Sequence, residues 1–142
     1  MKKSFFILIS ITLICILIIA FLIYNHQNAI NKTKKLNLEY ESYTNNNILG
    51  SSLMTLINKA INSNEKNEVQ KDEKGLYISN DINSIIIEVK FTEAEKIFRM
   101  EAISSLGSEA FIKNYNTMSF KCIKKQYHEN TKAISYLYFE QV

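Results

Sequence analysis

The residues of this chain that could do chemistry are few and far apart in the sequence. The two histidines, His26 and His128, lack the close spacing that a metal site on one helix would show. Glu93 and Glu95 fall in what reads as a surface turn, where solvated charge is favoured over a pair of hydrolytic carboxylates. The sequence therefore predicts no metal site and no cofactor.

The hydroxyl-bearing residues near Gly107 lack the sequence context of a nucleophile. Ser104, Ser105 and Ser108 surround this glycine but form no G-x-S-x-G elbow, no S-x-x-K pair and no phosphate-binding glycine loop. Cys122 follows Phe120 at strand spacing, and a small buried hydrophobe is favoured there over a reactive thiol or an intermolecular disulfide. We therefore predict that the protein is not an enzyme.

Aromatic residues near the C-terminus are the main indication of molecular recognition. Tyr136 and Tyr138 alternate with Leu137 and Phe139, so the two tyrosines share one face of a strand while the apolar pair faces a core. Together with Tyr127 on the preceding strand, Tyr136 and Tyr138 are candidate binding residues for a protein or a glycan. The alternative is that they pack across the strands and stiffen the hairpin.

An apolar run at the N-terminus predicts the cellular location of the protein. Uncharged and almost wholly apolar residues extend from Phe5 to Tyr24, directly after Lys2, Lys3 and Ser4. About 20 helical residues span roughly 30 Å, the thickness of a bilayer hydrocarbon core, and a cleaved signal peptide would need a pair of small residues after the run that is missing here. Residues 1–24 are therefore predicted to be an uncleaved, single-pass transmembrane signal anchor that contacts the lipid bilayer.

Charges on the two sides of the run predict its orientation. Lys2 and Lys3 lie closer to it than Lys32, Lys34 and Lys35 do, which places the N-terminus in the cytoplasm and the rest of the chain outside. The chain has 17 Lys and Arg against 14 Asp and Glu. This balance supplies no concentrated basic face, so we exclude nucleic acid as a partner.

A polar segment, residues 25–47, separates the run from the first strongly patterned element. We interpret it as a juxtamembrane stalk, because the asparagines at 45–47 should end any helix that continues from the membrane. Its main apolar residues are Leu36, Leu38, Tyr40 and Tyr43. Residues 48–142 are then predicted to form one extracytoplasmic domain with a modest core.

Hydrophobic periodicity predicts the elements of this domain. After Gly50, apolar residues at helical spacing form a stripe that either covers the domain's own sheet or docks on a partner: Leu53, Leu56, Ile57, Ala60 and Ile61. Strands are predicted at 76–78 and 85–91, as the arms of a hairpin, at about 97–100, and at 117–127 and 132–141. A helix that is interrupted or bent near Gly107 is predicted at 101–115, with Ile103, Leu106, Ala110 and Phe111 facing inward. The order helix, three strands, helix, two strands predicts an α+β domain.

An apolar N-terminal helix followed by an α+β head resembles the outline of type IV pilins and pseudopilins over the whole chain. The processing site of that family has a Gly before the apolar segment and a Glu near the start of the mature helix, and residues 1–6 contain neither. In general style, the chain also resembles small uncharacterised single-span envelope proteins of AT-rich Gram-positive bacteria. This resemblance implies a place in the cell membrane but transfers no role to any residue.

The function predicted from these features is that of a membrane-anchored, non-catalytic interaction domain of the cell envelope. Its partner would be another envelope protein or a second copy of the same chain. A wall-glycan binding module, which rests on the tyrosines, and a pilin-like subunit are the alternatives.

Overall fold

The computed structural model describes residues 2–93 and 96–142. The chain divides into two compact units: the first ends at Lys34, and the second is Lys35–Val142. Helix α1, Lys2–Glu41, begins in the first unit. Within the described residues one helix is long and apolar enough to cross a membrane, and its most apolar window has a mean hydropathy of 3.3 with none of it buried.

Two polar side chains within the apolar run are satisfied by the helix itself. The Ser10 hydroxyl donates to the carbonyl of Phe6 at 3.0 Å, and the Thr12 hydroxyl donates to the carbonyl of Ile9 at 2.8 Å. Such back-bonding is the usual way in which hydroxyls are accommodated in an apolar helix. Neither residue therefore needs a functional explanation.

Within the described residues, the second unit contains five strands and three further helices. They are β1 Ile48–Leu49, α2 Gly50–Lys66, β2 Ile86–Lys90, β3 Ile97–Arg99, α3 Met100–Ser105, α4 Ser108–Tyr115, β4 Ser119–Tyr127 and β5 Ile134–Gln141. The strands form one mixed sheet in the order β1-β4-β5-β2-β3, in which β2 and β5 are parallel and the other neighbours antiparallel. The predicted α+β fold class is confirmed.

Helix α2 covers one face of this sheet with its apolar stripe. Leu53, Leu56, Ile57 and Ala60 are completely buried, and Ile61 is partly buried. They belong to one hydrophobic cluster with alternate residues of the two central strands, which are Ile87, Val89, Leu137 and Phe139. The stripe thus packs on the domain's own sheet, which is one of the two alternatives that its pattern allowed.

The segment between α2 and β2 differs from the prediction. Residues 76–78 form no hairpin arm, and β2 pairs instead with β5 and β3. The Asp72 carboxylate accepts hydrogen bonds at 2.9 Å from the backbone N–H groups of Lys74 and Leu76, closing a turn in which Tyr77 forms an isolated bridge with Lys71. In this local turn, the Asp72 carboxylate satisfies backbone N–H groups that would otherwise have needed hydrogen-bond partners from a neighbouring strand.

Residues 101–115 contain an interruption at the predicted place. Gly107 has a φ of 85°, a left-handed conformation that separates α3 from α4 and that glycine adopts without a steric penalty. The break also changes which side chains face inward. Ile103 and Phe111 are buried as predicted, whereas Leu106 is 64% exposed and Ala110 is also exposed.

The boundary between the two units differs from the predicted end of the stalk. Residues 35–47 belong to the second unit, where Tyr40 is completely buried and Leu36 and Tyr43 pack partly buried against the same core. These three positions lie at i, i+4 and i+7, which is one face of a helix. Leu38 lies off that face and is 67% exposed.

A side chain near the end of α1 also organises the start of β5. The Asn37 amide donates to the carbonyl of Lys132 at 2.8 Å, and its Oδ1 accepts a hydrogen bond from the N–H of Ile134 at 2.9 Å. The Asn37 side-chain amide therefore makes the same pair of hydrogen bonds, one donated and one accepted, that the backbone of a neighbouring strand would make. The last turns of α1 are thus a structural part of the domain rather than a spacer.

Gly50 lies where β1 leads directly into α2 and where no side chain caps the helix. A Cβ built on Gly50 would overlap the carbonyl oxygen of Tyr115, a backbone atom that cannot rotate away. We expect Gly50→Ala to lower the free energy of unfolding by about 1–3 kcal/mol in denaturant melts. Ser51→Ala is the neighbouring control, and equal stability of the two variants would contradict this close packing.

Candidate functional site

The sheet face opposite α2 carries two of the predicted tyrosines. Ile87 and Val89 of β2 are completely buried, so the alternating Glu88 and Lys90 lie on the other face. Tyr136 and Tyr138 of β5 alternate in the same way with buried Leu137 and Phe139 and are partly exposed. We call this surface the open face; its exposed and partly exposed residues on β2, β4 and β5 are Glu88, Lys90, Lys121, Lys124, Gln126, Tyr136, Tyr138 and Glu140.

Carboxylates hold both tyrosines of the open face. The Tyr136 hydroxyl donates to the Glu88 carboxylate at 2.6 Å, and the Tyr138 hydroxyl donates to Glu140 at 2.8 Å. Burial, followed by the neighbouring carboxylate, raises the pKa of both hydroxyls, so they stay protonated and keep donating at neutral pH. The two rings are therefore held in one orientation, which reduces the entropy lost when a partner binds.

Opposite charges alternate across the open face. The strand register aligns its side chains in three rows: Tyr136 with Gln126, Tyr138 with Glu88 and Lys124, and Glu140 with Lys90 and Lys121. The Lys124 ammonium also lies 5.8 Å from the centroid of the Tyr136 ring. Fixed aromatic rings among alternating charges suit contact with a protein, because the rings supply contact area and the charges select the partner and its orientation.

Tyr127 lies apart from the other two predicted binding residues. The pairing of β4 with β5 shifts register between Gln126 and Tyr127, and the Tyr127 hydroxyl donates to the Glu41 carboxylate at 3.2 Å. Lys125 approaches the same carboxylate at 3.6 Å. Tyr127 therefore belongs to a contact between β4 and the end of α1, and the structure brings Tyr136 and Tyr138 together without it. A register shift leaves no pattern in the sequence from which this could be foreseen.

The outer edge of β4 is less suited to recognition than the open face. Strand β1 pairs only with Ser119 and Phe120, so within the described parts of the chain the rest of this edge has no neighbouring strand. The register shifts between Cys122 and Lys124, and three lysines occupy the same stretch: Lys121, Lys124 and Lys125. A bulge and edge lysines are the features that hinder pairing with a strand of another chain.

Of the groups that could do chemistry, His128 and Cys122 contact structural elements. In the described ranges, 2–93 and 96–142, no three His, Cys, Asp or Glu side chains are grouped so that they could hold a metal ion. His128 is buried, and its Nε2 lies 2.8 Å from the carbonyl oxygen of Ser84. Burial raises the pKa of the Cys122 thiol, which disfavours the nucleophilic thiolate. Of the pair Glu93 and Glu95, Glu95 lies outside the described residues.

Comparison with known proteins identifies no relative. No protein-family model matches this chain, and no curated protein or solved structure matches it. The open face and the apolar helix are therefore the features from which function is inferred.

Proposed function

We propose that this protein is a membrane-anchored, non-catalytic interaction domain of the cell envelope. It binds another envelope protein or a second copy of itself through the open face. The observation that carries the proposal is the pair Tyr136 and Tyr138, whose hydroxyls bond to carboxylates and which lie beside the exposed Lys124. Tyrosines that are already ordered before binding are typical anchors of protein interfaces.

The apolar helix supports the membrane location in this proposal. Its mean hydropathy of 3.3 over an unburied window matches a segment that meets lipid rather than water. Lys2 and Lys3 on the near side favour a cytoplasmic N-terminus, which puts the second unit outside the cytoplasm. The open face would then be presented to other components of the envelope.

Ile16 lies near the middle of the apolar run, and an arginine there would have to be placed in the hydrocarbon. We expect Ile16→Arg to cost about 2.5–3.5 kcal/mol of insertion free energy and to reduce the fraction of protein that resists alkaline carbonate extraction. Ile16→Val is the matched control. The wild-type mature chain should begin at or near Met1, and a mature N-terminus near Asn25 would show that the segment is cleaved.

The open face is tested by crosslinking the full-length chain in membranes before solubilisation and purification. Tyr136→Ala with Tyr138→Ala removes the rings, and Lys121→Glu with Lys124→Glu reverses two exposed charges that carry no core packing. We expect both double variants to lose a stoichiometric crosslinked species that the wild type and Tyr127→Ala retain. A strictly monomeric protein with no stoichiometric partner, or a partner retained by both double variants, would overturn the proposal.

A wall-glycan module makes a different prediction from the same surface. It would be retained on purified cell-wall material and released by Tyr136→Ala with Tyr138→Ala. Glu88 and Glu140 already accept the tyrosine hydroxyls, which leaves the open face fewer free acceptors for sugar hydroxyls. This occupancy is why we favour a protein partner.

A further inference from the structure

An open cleft lies between the C-terminal half of α2, helix α3 and the segment that contains Tyr77. It has a volume of ≈ 280 Å³ and is lined by Ile61, Glu65, Lys71, Tyr77 and Ser104, among others. Typical small-molecule sites have volumes of about 300–1,000 Å³. The cleft therefore suits a ligand of few atoms rather than a large cofactor.

The hydroxyl of Tyr77 is a polar group of this cleft that lacks a hydrogen-bond partner among the described residues. The residue is 3% exposed, and its hydroxyl makes no hydrogen bond to any described residue. Burial is the main cause that raises the pKa of this hydroxyl; Lys71 and Glu65, which line the same cleft, lower it and raise it further, respectively. Buried hydroxyls nearly always have a partner, and this one points to a group that enters the cleft.

Two hydrogen bonds fix the backbone of Tyr77 beside the cleft. Its N–H donates to the Glu101 carboxylate at 2.8 Å, and its carbonyl accepts a hydrogen bond from the Arg99 guanidinium at 2.8 Å. Arg99 and Glu101 also pair with each other at 2.9 Å. Glu101, which lines the cleft, is therefore already neutralised.

One cation and one anion remain available in the cleft. The ion pairs formed among the described residues are Lys59–Glu39, Arg99–Glu101 and Lys125–Glu41, and they include neither Glu65 nor Lys71. A phosphate or a metal cation would meet one attracting and one repelling charge. A sugar would find the ring of Tyr77 already covered by the Lys71 ammonium, 4.5 Å from its centroid.

We propose that this cleft binds a small zwitterion, namely a free amino acid. Its carboxylate pairs with Lys71 and accepts a hydrogen bond from the Tyr77 hydroxyl, and its ammonium group pairs with Glu65. Such charge-assisted hydrogen bonds are stronger than neutral ones and discriminate against ligands that lack either charge. The cleft shares none of its lining residues with the open face, so this proposal stands independently of the partner proposed above.

Equilibrium dialysis of the full-length protein in lipid nanodiscs tests the proposal, with L-alanine as the probe. N-acetyl-L-alanine lacks the ammonium group and L-alaninamide lacks the carboxylate, so each removes one proposed ion pair. We expect saturable binding of L-alanine and binding at least about tenfold weaker for each analogue. The absence of saturable L-alanine binding, or equal binding of the three compounds, would overturn the proposal.

Variants assign the binding to this cleft. Lys71→Met and Glu65→Gln change exposed side chains and should each weaken L-alanine binding by about tenfold or more, and Tyr77→Phe should weaken it several-fold without unfolding the domain. Lys74→Met and Glu68→Gln are the matched controls, because both residues are exposed nearby and lie outside the cleft lining. L-alanine binding that survives both Lys71→Met and Glu65→Gln would also overturn the proposal.

Discussion

Replacing Ile57 by alanine is expected to lower the free energy of unfolding of the 35–142 unit by about 2–5 kcal/mol. Ile57 is completely buried on the stripe of α2, so the substitution removes buried methyl groups and leaves a cavity above the sheet. Small domains have a total stability of about 5–15 kcal/mol, so the loss is a large part of the margin. Urea denaturation followed by circular dichroism measures it, with the same result with or without reductant because Cys122 is a free thiol.

Lys59→Ala is the matched control on the same helix. Lys59 pairs with Glu39 at 3.1 Å, but the two side chains are 37% and 41% exposed, and surface ion pairs of this kind contribute little. We expect this substitution to change stability by about 0.5 kcal/mol or less. If both variants left the unfolding curve unchanged, the stripe would be held by a partner rather than by the domain's own sheet.

Periodicity is the part of the sequence from which the fold could be predicted. One-sided burial forces apolar residues to recur at helical spacing along α2 and at every second position along β5, so Ile57, Leu137 and Phe139 could be assigned to the core in advance. The same alternation placed Tyr136 and Tyr138 together on the opposite face. Which strands pair was not predictable in this way, because the parallel contact of β2 with β5 joins segments far apart in the chain.

Elements held by contacts between side chains and backbone could not be predicted. Asn is abundant in this chain, so its presence at one position carries little information, yet individual asparagines organise the domain. The Oδ1 of Asn80 accepts hydrogen bonds from the N–H groups of Ile82, Asn83 and Ser84 at 3.0, 2.8 and 3.1 Å, which folds the segment before β2. Asn37 and Asp72 have equivalent roles at the start of β5 and in the turn after α2.

The candidate surfaces were predictable to different degrees. The shared face of Tyr136 and Tyr138 follows from alternation, whereas the Glu88 carboxylate that holds Tyr136 comes from another strand and required the register. The amino-acid cleft left no signal in the sequence, since Glu65 and Lys71 fall in a charge-dense segment that reads as a solvated loop. The cleft also depends on Tyr77, which is buried by residues that come together only in the folded chain.

Asn64→Ala is expected to destabilise the 35–142 unit by about 2–5 kcal/mol, an effect as large as that of a core truncation. Asn64 is completely buried in the last turns of α2. Its amide donates to the carbonyl of Ile85 at 2.7 Å, and its Oδ1 accepts a hydrogen bond from the Ile85 N–H at 2.8 Å. Alanine would leave both backbone groups buried without partners, and each such group costs about 1–3 kcal/mol.

Asn62→Ala is the control that separates this effect from helix propensity. Asn62 lies on the same helix but is exposed, so alanine there should be neutral or slightly stabilising, because alanine is the better helix former. Asn64→Asp is the sharper variant, since it keeps the size and the acceptor but replaces the donor to Ile85 with a buried negative charge. We expect its urea midpoint at neutral pH to be at least as low as that of Asn64→Ala. An Asn64→Ala protein as stable as Asn62→Ala would mean that the start of β2 is held by the sheet alone and that the amide contact is incidental.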